Sequence, residues 1–245
     1  MTYSRAVPAI LRNDARRLLR DRFLLGASAY IVGISIALRW LIPWAQSELL
    51  ASTGFDIGPH IPMGVSYFIV VNASVLTGMV SGFLLLETRE ERAISALRVT
   101  QVPLWVHLAT LGAVAMAAGT VLATLEALVV GVGTPPLGAV VAAAALGSPM
   151  GLVFALLLAT VASNKVEAFA VMKITSILGL VPVGAYFLPE PWQLLGGVVP
   201  VFWGCKLWWV AAAGEGGWAW LLLPGLAVSA LWIGVLLWRF QRVAR

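Results

Sequence analysis

Few residues in this chain could do chemistry. Among 245 residues there are 16 Lys and Arg, 11 Asp and Glu, two His and one Cys. His60 and His107 lie far apart and lack ligand spacing. The lone Cys205 excludes an internal disulfide and a Cys-cluster metal site, and reads as a small apolar residue. No Gly-x-x-x-x-Gly-Lys-Ser/Thr occurs around Lys165, Lys173 or Lys206, so the usual ATP cradle is absent from the sequence. There is no Gly-x-Ser-x-Gly elbow and no acid pair with a positioned His. The expectation is a chain without a catalytic centre, metal or cofactor of its own. What remains is charge inside apolar sequence, which is costly in lipid and marks function by default. Arg39, next to Trp40 and Trp44, reads either as a snorkelling interface residue or as part of a transport path. Glu126 could face such a path, pair with Arg39, or reach the membrane surface. Lys173 and His107 read as interfacial, and Asn72 and Asn164 as helix-contact or turn residues.

The elements that would position these residues follow from composition. Sixty per cent of the chain is hydrophobic and 11% charged, with a mean hydropathy of +0.93. Soluble chains are about 45–50% apolar and about 25% charged. Most of this chain must therefore face lipid, which argues against soluble-enzyme, nucleic-acid-binding and disordered classes. The apolar runs predict an all-α integral membrane fold in one domain. Its spans are expected at 23–44, 67–86, 106–130, 137–162, 168–187 and 218–238. Residues 188–217 are apolar but interrupted by Pro189, Pro191, Gly196, Gly197 and Pro200, and read as a seventh span or a re-entrant element.

Charge placement decides between these. Six Arg precede the first span, three follow the last, and Arg89, Arg92, Arg98 and Lys165 fall between spans. With six spans, 13 of the 16 basic residues lie on one side, which by the positive-inside rule is the cytoplasm. Both termini are then cytoplasmic and 188–217 is an extracytoplasmic re-entrant element. A seventh span would place three Arg outside. The basic start lacks a cleavage pattern, so no secretory signal is expected.

Two segments stand apart. Residues 3–22 place Val7, Ile10, Leu11, Ala15 and Leu18 at helical spacing opposite Arg5, Arg12, Arg16 and Arg20. This predicts an amphipathic interfacial helix, either a plain anchor or one that also touches a partner. The segment 87–105 connects two spans with many more residues than a connection needs. It opens on the alternating charges Glu87, Arg89, Glu90, Glu91 and Arg92 and continues to Val99, Val102, Pro103 and Leu104. It reads either as a solvated hairpin with surface ion pairs, each worth at most about 1 kcal/mol, or as a docking surface.

These features together resemble the ABC type-2 exporter family. The acidic-basic run at 87–92, the later Leu97 and Pro103, the Arg20-Asp21-Arg22 step before the first span, and the Pro-rich element from Leu188 to Trp203 follow the family's order over nearly the whole chain. Ala93-Ile94 stands where the family has Gly-Thr. The chain is similar to a small bacterial permease subunit of the multidrug or fluoroquinolone export kind. The resemblance implies a cytoplasmic coupling segment at 87–105, with Glu87, Arg89, Glu90, Glu91 and Arg92 as contact surface and Val99 to Leu104 as the turn. It implies two copies of a separate ATP-binding subunit carrying ATP and Mg. A second permease chain, identical or related, would meet this one along Gly26, Ala29 and Gly33 of the first span and Gly179 and Gly184 of the fifth. It implies a bacterial cytoplasmic membrane and export of an amphipathic drug, lipid or peptide. A membrane scaffold and a gradient-driven carrier are the competing readings; Glu126 and Arg39 would serve the latter.

Overall fold

The computed structural model describes residues 8, 11, 12, 15, 16, 20, 22–90 and 104–243. Among them every regular element is helical. The chain forms α1 (Arg22–Thr53), α2 (Ile61–Ser66), α3 (Asn72–Glu90), α4 (Leu104–Val130), α5 (Leu137–Gly147), α6 (Pro149–Val161), α7 (Lys165–Thr175), α8 (Val181–Tyr186), α9 (Pro200–Ala212) and α10 (Leu222–Val243). Single 3-10 turns precede α2, α8, α9 and α10, and a wider π-type turn, Tyr67–Val71, joins α2 to α3.

Six segments of the described chain are long and apolar enough to cross a membrane: Leu25–Thr53, Gly58–Glu87, Leu108–Val130, Leu137–Val161, Val166–Tyr186 and Trp218–Arg242. The first helix continues nine residues beyond Trp44, carrying Pro43 within it. The second apolar segment begins at Gly58, before the run that opens at Tyr67. A fold that exposes Leu223, Val166, Trp40 and Ile174 on its outside is suited to lipid as solvent. Hydroxyl groups follow the same logic. Ser35, Thr120, Thr124, Thr160 and Ser229 each donate to the carbonyl four residues earlier in their own helix, the partner available without water.

The bundle has a buried hub and an exposed, apolar periphery. Helix α3 and the α5–α6 pair are largely buried, whereas α1, α7 and α10 are largely exposed. The hub closes because glycines let backbones meet. A Cβ on Gly78 would lie 2.5 Å from the Gly151 carbonyl oxygen, and one on Gly204 would lie 2.7 Å from that of Ala143. Ser74 donates to both Val70 and Gly147 carbonyls and ties α3 to α5 where the chain breaks at Ser148–Pro149.

Residues 188–212 form short helical pieces that pack into the bundle. After Tyr186 the chain forms a 3-10 turn over Trp192–Val198 and then α9. At its start α9 lies against mid-bundle residues: Gly225 packs on Trp203 and Leu146. Near its end Trp208 reaches the Gly133 carbonyl in the α4–α5 turn. Thirteen residues make a helix of about 20 Å, too short to cross about 30 Å of hydrocarbon. Trp203, Trp208 and Trp209 are buried here, with indole N–H groups on the Gly197 carbonyl, the Gly133 carbonyl and Ser66 Oγ. Part of the tryptophan content thus holds an interior element, while Trp40, Trp44, Trp192, Trp220 and Trp238 remain on the exterior.

Candidate functional site

The candidate residues fall at three places. At the end of the bundle where α3 finishes, Leu86, Leu158, Ala162 and Ala168 form a small apolar cluster. Asn164 caps α7 by accepting from Glu167 N–H at 2.9 Å, and the Glu167 carboxylate accepts from the N–H of Ser163, the residue before the cap, at 2.8 Å, a variant of the capping box. Helix α3 carries Glu87, half-buried, and continues through Arg89 to Glu90. Glu91, Arg92, Val99, Val102 and Pro103 lie outside the described residues, and Leu104 is the first residue of α4. At the amino-terminal segment, the described positions Leu11 and Ala15 are half-buried and Arg12, Arg16 and Arg20 exposed.

The second place is the far end of α4. Arg39 does not meet Glu126. Its Nη1 donates to the Val129 carbonyl at 3.0 Å, one of the carbonyls a helix end leaves without an intrahelical partner. Gly131, at φ +63°, closes α4 by donating to the Ala127 carbonyl at 2.9 Å, the left-handed C-cap geometry. Glu126 is fully buried, and both carboxyl oxygens lack a hydrogen-bond partner. Lys173 is exposed on α7. Of the proposed seam residues, Gly26, Gly33 and Gly184 have open space where a Cβ would be and Ala29 is exposed; Gly179 is buried against Val71 of the same chain.

The third place was not singled out as a site by sequence reasoning. Lys206, one turn and a half into α9, is buried at 7% exposure, and its ammonium bonds both the Glu190 carboxylate and the Gln193 amide oxygen. These groups border a cavity of about 640 Å³ that also includes Tyr186, Trp209 and Glu215. The Tyr186 hydroxyl donates to the Pro59 carbonyl at 3.1 Å and lies 3.3 Å from His60 Nδ1. The available signal was one Lys and two Glu, Lys206, Glu190 and Glu215, all within the proline-interrupted stretch at 188–217.

The sequence comparisons decide the lineage. The model of the family described as "Fluoroquinolones export permease protein Rv2686c-like" matches residues 14–237. The chain belongs to that family. Fluoroquinolones export permease protein Rv2686c of Mycobacterium tuberculosis strain H37Rv is 32% identical over 242 residues, covering 97% of this chain and 94% of that protein. The protein MT2760 of strain CDC 1551 carries the same description and matches equally. With six apolar helices among the described residues, this family membership makes the chain a multi-pass membrane permease of an export family. Within that frame the three places are the charged end of α3, a helix-end contact, and a polar cavity that the permease carries at the bundle end opposite α3's last residues.

Proposed function

We propose that this permease is the membrane-spanning subunit of an ATP-driven exporter whose cargo is an amphipathic aromatic drug of the fluoroquinolone kind. The carrying observation is the match along 97% of the chain to proteins described as fluoroquinolones export permeases. Such drugs join an aromatic body to a carboxylate and an amine. ATP hydrolysis is assigned to a separate subunit, in two copies with Mg, because the sequence has no Walker lysine. The docking surface is assigned to Glu87, Arg89, Glu90, Glu91 and Arg92; in support, α3 continues to Glu90 past the apolar segment that ends at Glu87.

Orientation belongs to the same reading. Both termini are cytoplasmic, in the bacterial inner membrane, with residues 3–22 as an interfacial helix. The 188–212 stretch is a re-entrant element entering from the outer side, supported by its short α9 and its contact with the turn at Gly133. A second permease chain would pack on Gly26, Ala29, Gly33 and Gly184, whose outward faces carry no intrachain contact that a Cβ would meet or are exposed. Gly179 is left out of that seam because Val71 already occupies its face. Closure of two ATPase subunits would push the 87–105 segments, rock the spans and open an outward path.

The test is affinity purification from the native membrane in mild detergent. Recovery of a Walker-motif ATPase in comparable amount, lost when Glu87, Arg89, Glu90, Glu91 and Arg92 are made neutral, is the expected result. Repeated recovery of the permease with no ATPase sinks the reading. One observation favours a second reading, a gradient-driven carrier: Glu126 is a buried carboxyl without a partner inside a span. A protonophore would stop that carrier at once, whereas ATP-driven export persists while ATP lasts.

A further inference from the structure

The Lys206 cluster is built asymmetrically. The Lys206 side chain is 9% exposed and that of its partner Glu190 is 63% exposed. A buried ammonium that loses its counter-charge is strongly disfavoured, whereas a carboxylate open to water is hydrated and loses little on release. The pair is therefore broken at least cost by exchange, with another anion replacing Glu190 on Lys206. A cationic ligand drawn to Glu190 would strip Lys206 and be opposed. The space for a replacement is present. The cavity beside the pair, about 640 Å³, falls within the range of small-molecule sites. Its walls include the Tyr186 and Trp209 rings, which meet edge to face with centroids 5.0 Å apart. Gln193, only 8% exposed, keeps its amide oxygen on Lys206 throughout and its Nε2 on the Tyr186 carbonyl at 3.2 Å, so the ammonium is held in place during exchange.

We propose that this cavity binds an aromatic amphiphile through a carboxylate that takes the place of Glu190 on Lys206. The exchange is charge-neutral and makes or breaks no covalent bond. A ligand that also bears an amine gains a second anchor, because the released Glu190 and the exposed Glu215 both border the cavity. As a release station for exported cargo, the site rests on the export reading above. As a carboxylate site it stands on its own geometry.

The experiment uses the purified full-length permease in phosphatidylcholine nanodiscs, titrated by calorimetry with 2-naphthoate and, in parallel, with its uncharged methyl ester. Naphthoate binds the wild type, and Lys206→Met weakens it by roughly tenfold or more, the scale of a lost buried charge partner. Glu190→Gln tightens it, because the internal competitor is gone. The ester responds to neither change. Lys206→Met leaves the exposed Glu190 carboxylate and the Gln193 amide oxygen without this partner, and its melting temperature is the control for folding. Equal binding by wild type and Lys206→Met overturns the proposal. So does weakening by Glu190→Gln as large as that by Lys206→Met, which would make Glu190 part of the site rather than its occupant. Binding is read without transport: absent export with intact naphthoate binding counts against the export reading alone, and export with no Lys206-dependent binding counts against this site alone.

Discussion

The Arg39 guanidinium of α1 caps the carboxyl-terminal end of α4 by donating to the Val129 carbonyl, across 90 residues of sequence. The contact places a positive charge at the negative end of a helix. It also fits closely around Gly131, where a Cβ would come within 2.9 Å of Arg39 Nη1.

Removing this cap should be measurable. Arg39→Ala is expected to destabilise the permease by about 1 kcal/mol, the usual scale of a helix-end charge with a hydrogen bond. Gly131→Ala should cost more, since it strains a positive-φ position and displaces the same guanidinium. Thermal unfolding in detergent reads both, and an unchanged melting temperature for both variants refutes the cap.

Glu126→Gln probes the buried carboxyl in α4. Both oxygens lack a partner, so a neutral amide of the same shape should leave the melting temperature unchanged or higher. Under ATP-driven export, drug efflux by this variant matches the wild type. Loss of efflux with ATP present would instead transfer the assignment to the gradient-driven carrier.

Gly78→Ala tests the hub. Its new methyl would stand 2.5 Å from the Gly151 carbonyl oxygen, so α3 and α6 must separate. We expect about 2–3 kcal/mol of destabilisation, as for overpacking a close-packed interior. Gly64→Ala, with open space at its Cβ, is the matched control and should be near neutral in the same unfolding assay.

Gly33→Leu tests the second-permease seam. Nothing lies within 4 Å of a Cβ at this position, so the single chain should fold with wild-type stability. Native mass spectrometry of the detergent complex should show two permease chains for wild type and one for the variant. A two-chain species of unchanged abundance would rule this face out as the seam.

The apolar runs and the asymmetry of arginines were enough to read six spans and an all-helical fold, because lipid imposes its length requirement on the sequence directly. The broken stretch at 188–217 announced itself through its prolines and glycines, yet its packing depends on where Trp208 and Trp209 find partners, and those partners, Gly133 and Ser66, are distant in sequence. Arg39 and Glu126 illustrate the same limit. Both are visible as charges in apolar runs, but whether they pair is set by the rotation of α1 against α4, and there the guanidinium meets a backbone carbonyl instead. Lys206 and Glu190 were hidden for the opposite reason: each is unremarkable alone, and only the turn at Trp192–Val198 brings them together.

The contact of Gly78 with Gly151 has a mechanical meaning. Two helices whose backbones touch cannot slide past each other without climbing over side chains on either flank, so α3 and α6 behave as a single stiff beam. A thrust applied where α3 ends at Glu90 would run along about 28 Å of helix to reach Asn72. It arrives at the π-type turn Tyr67–Val71, the wider and softer coil that joins α3 to α2, whose Ser66 holds Trp209. Such a displacement would be taken up at that turn, beside the helix that carries Lys206.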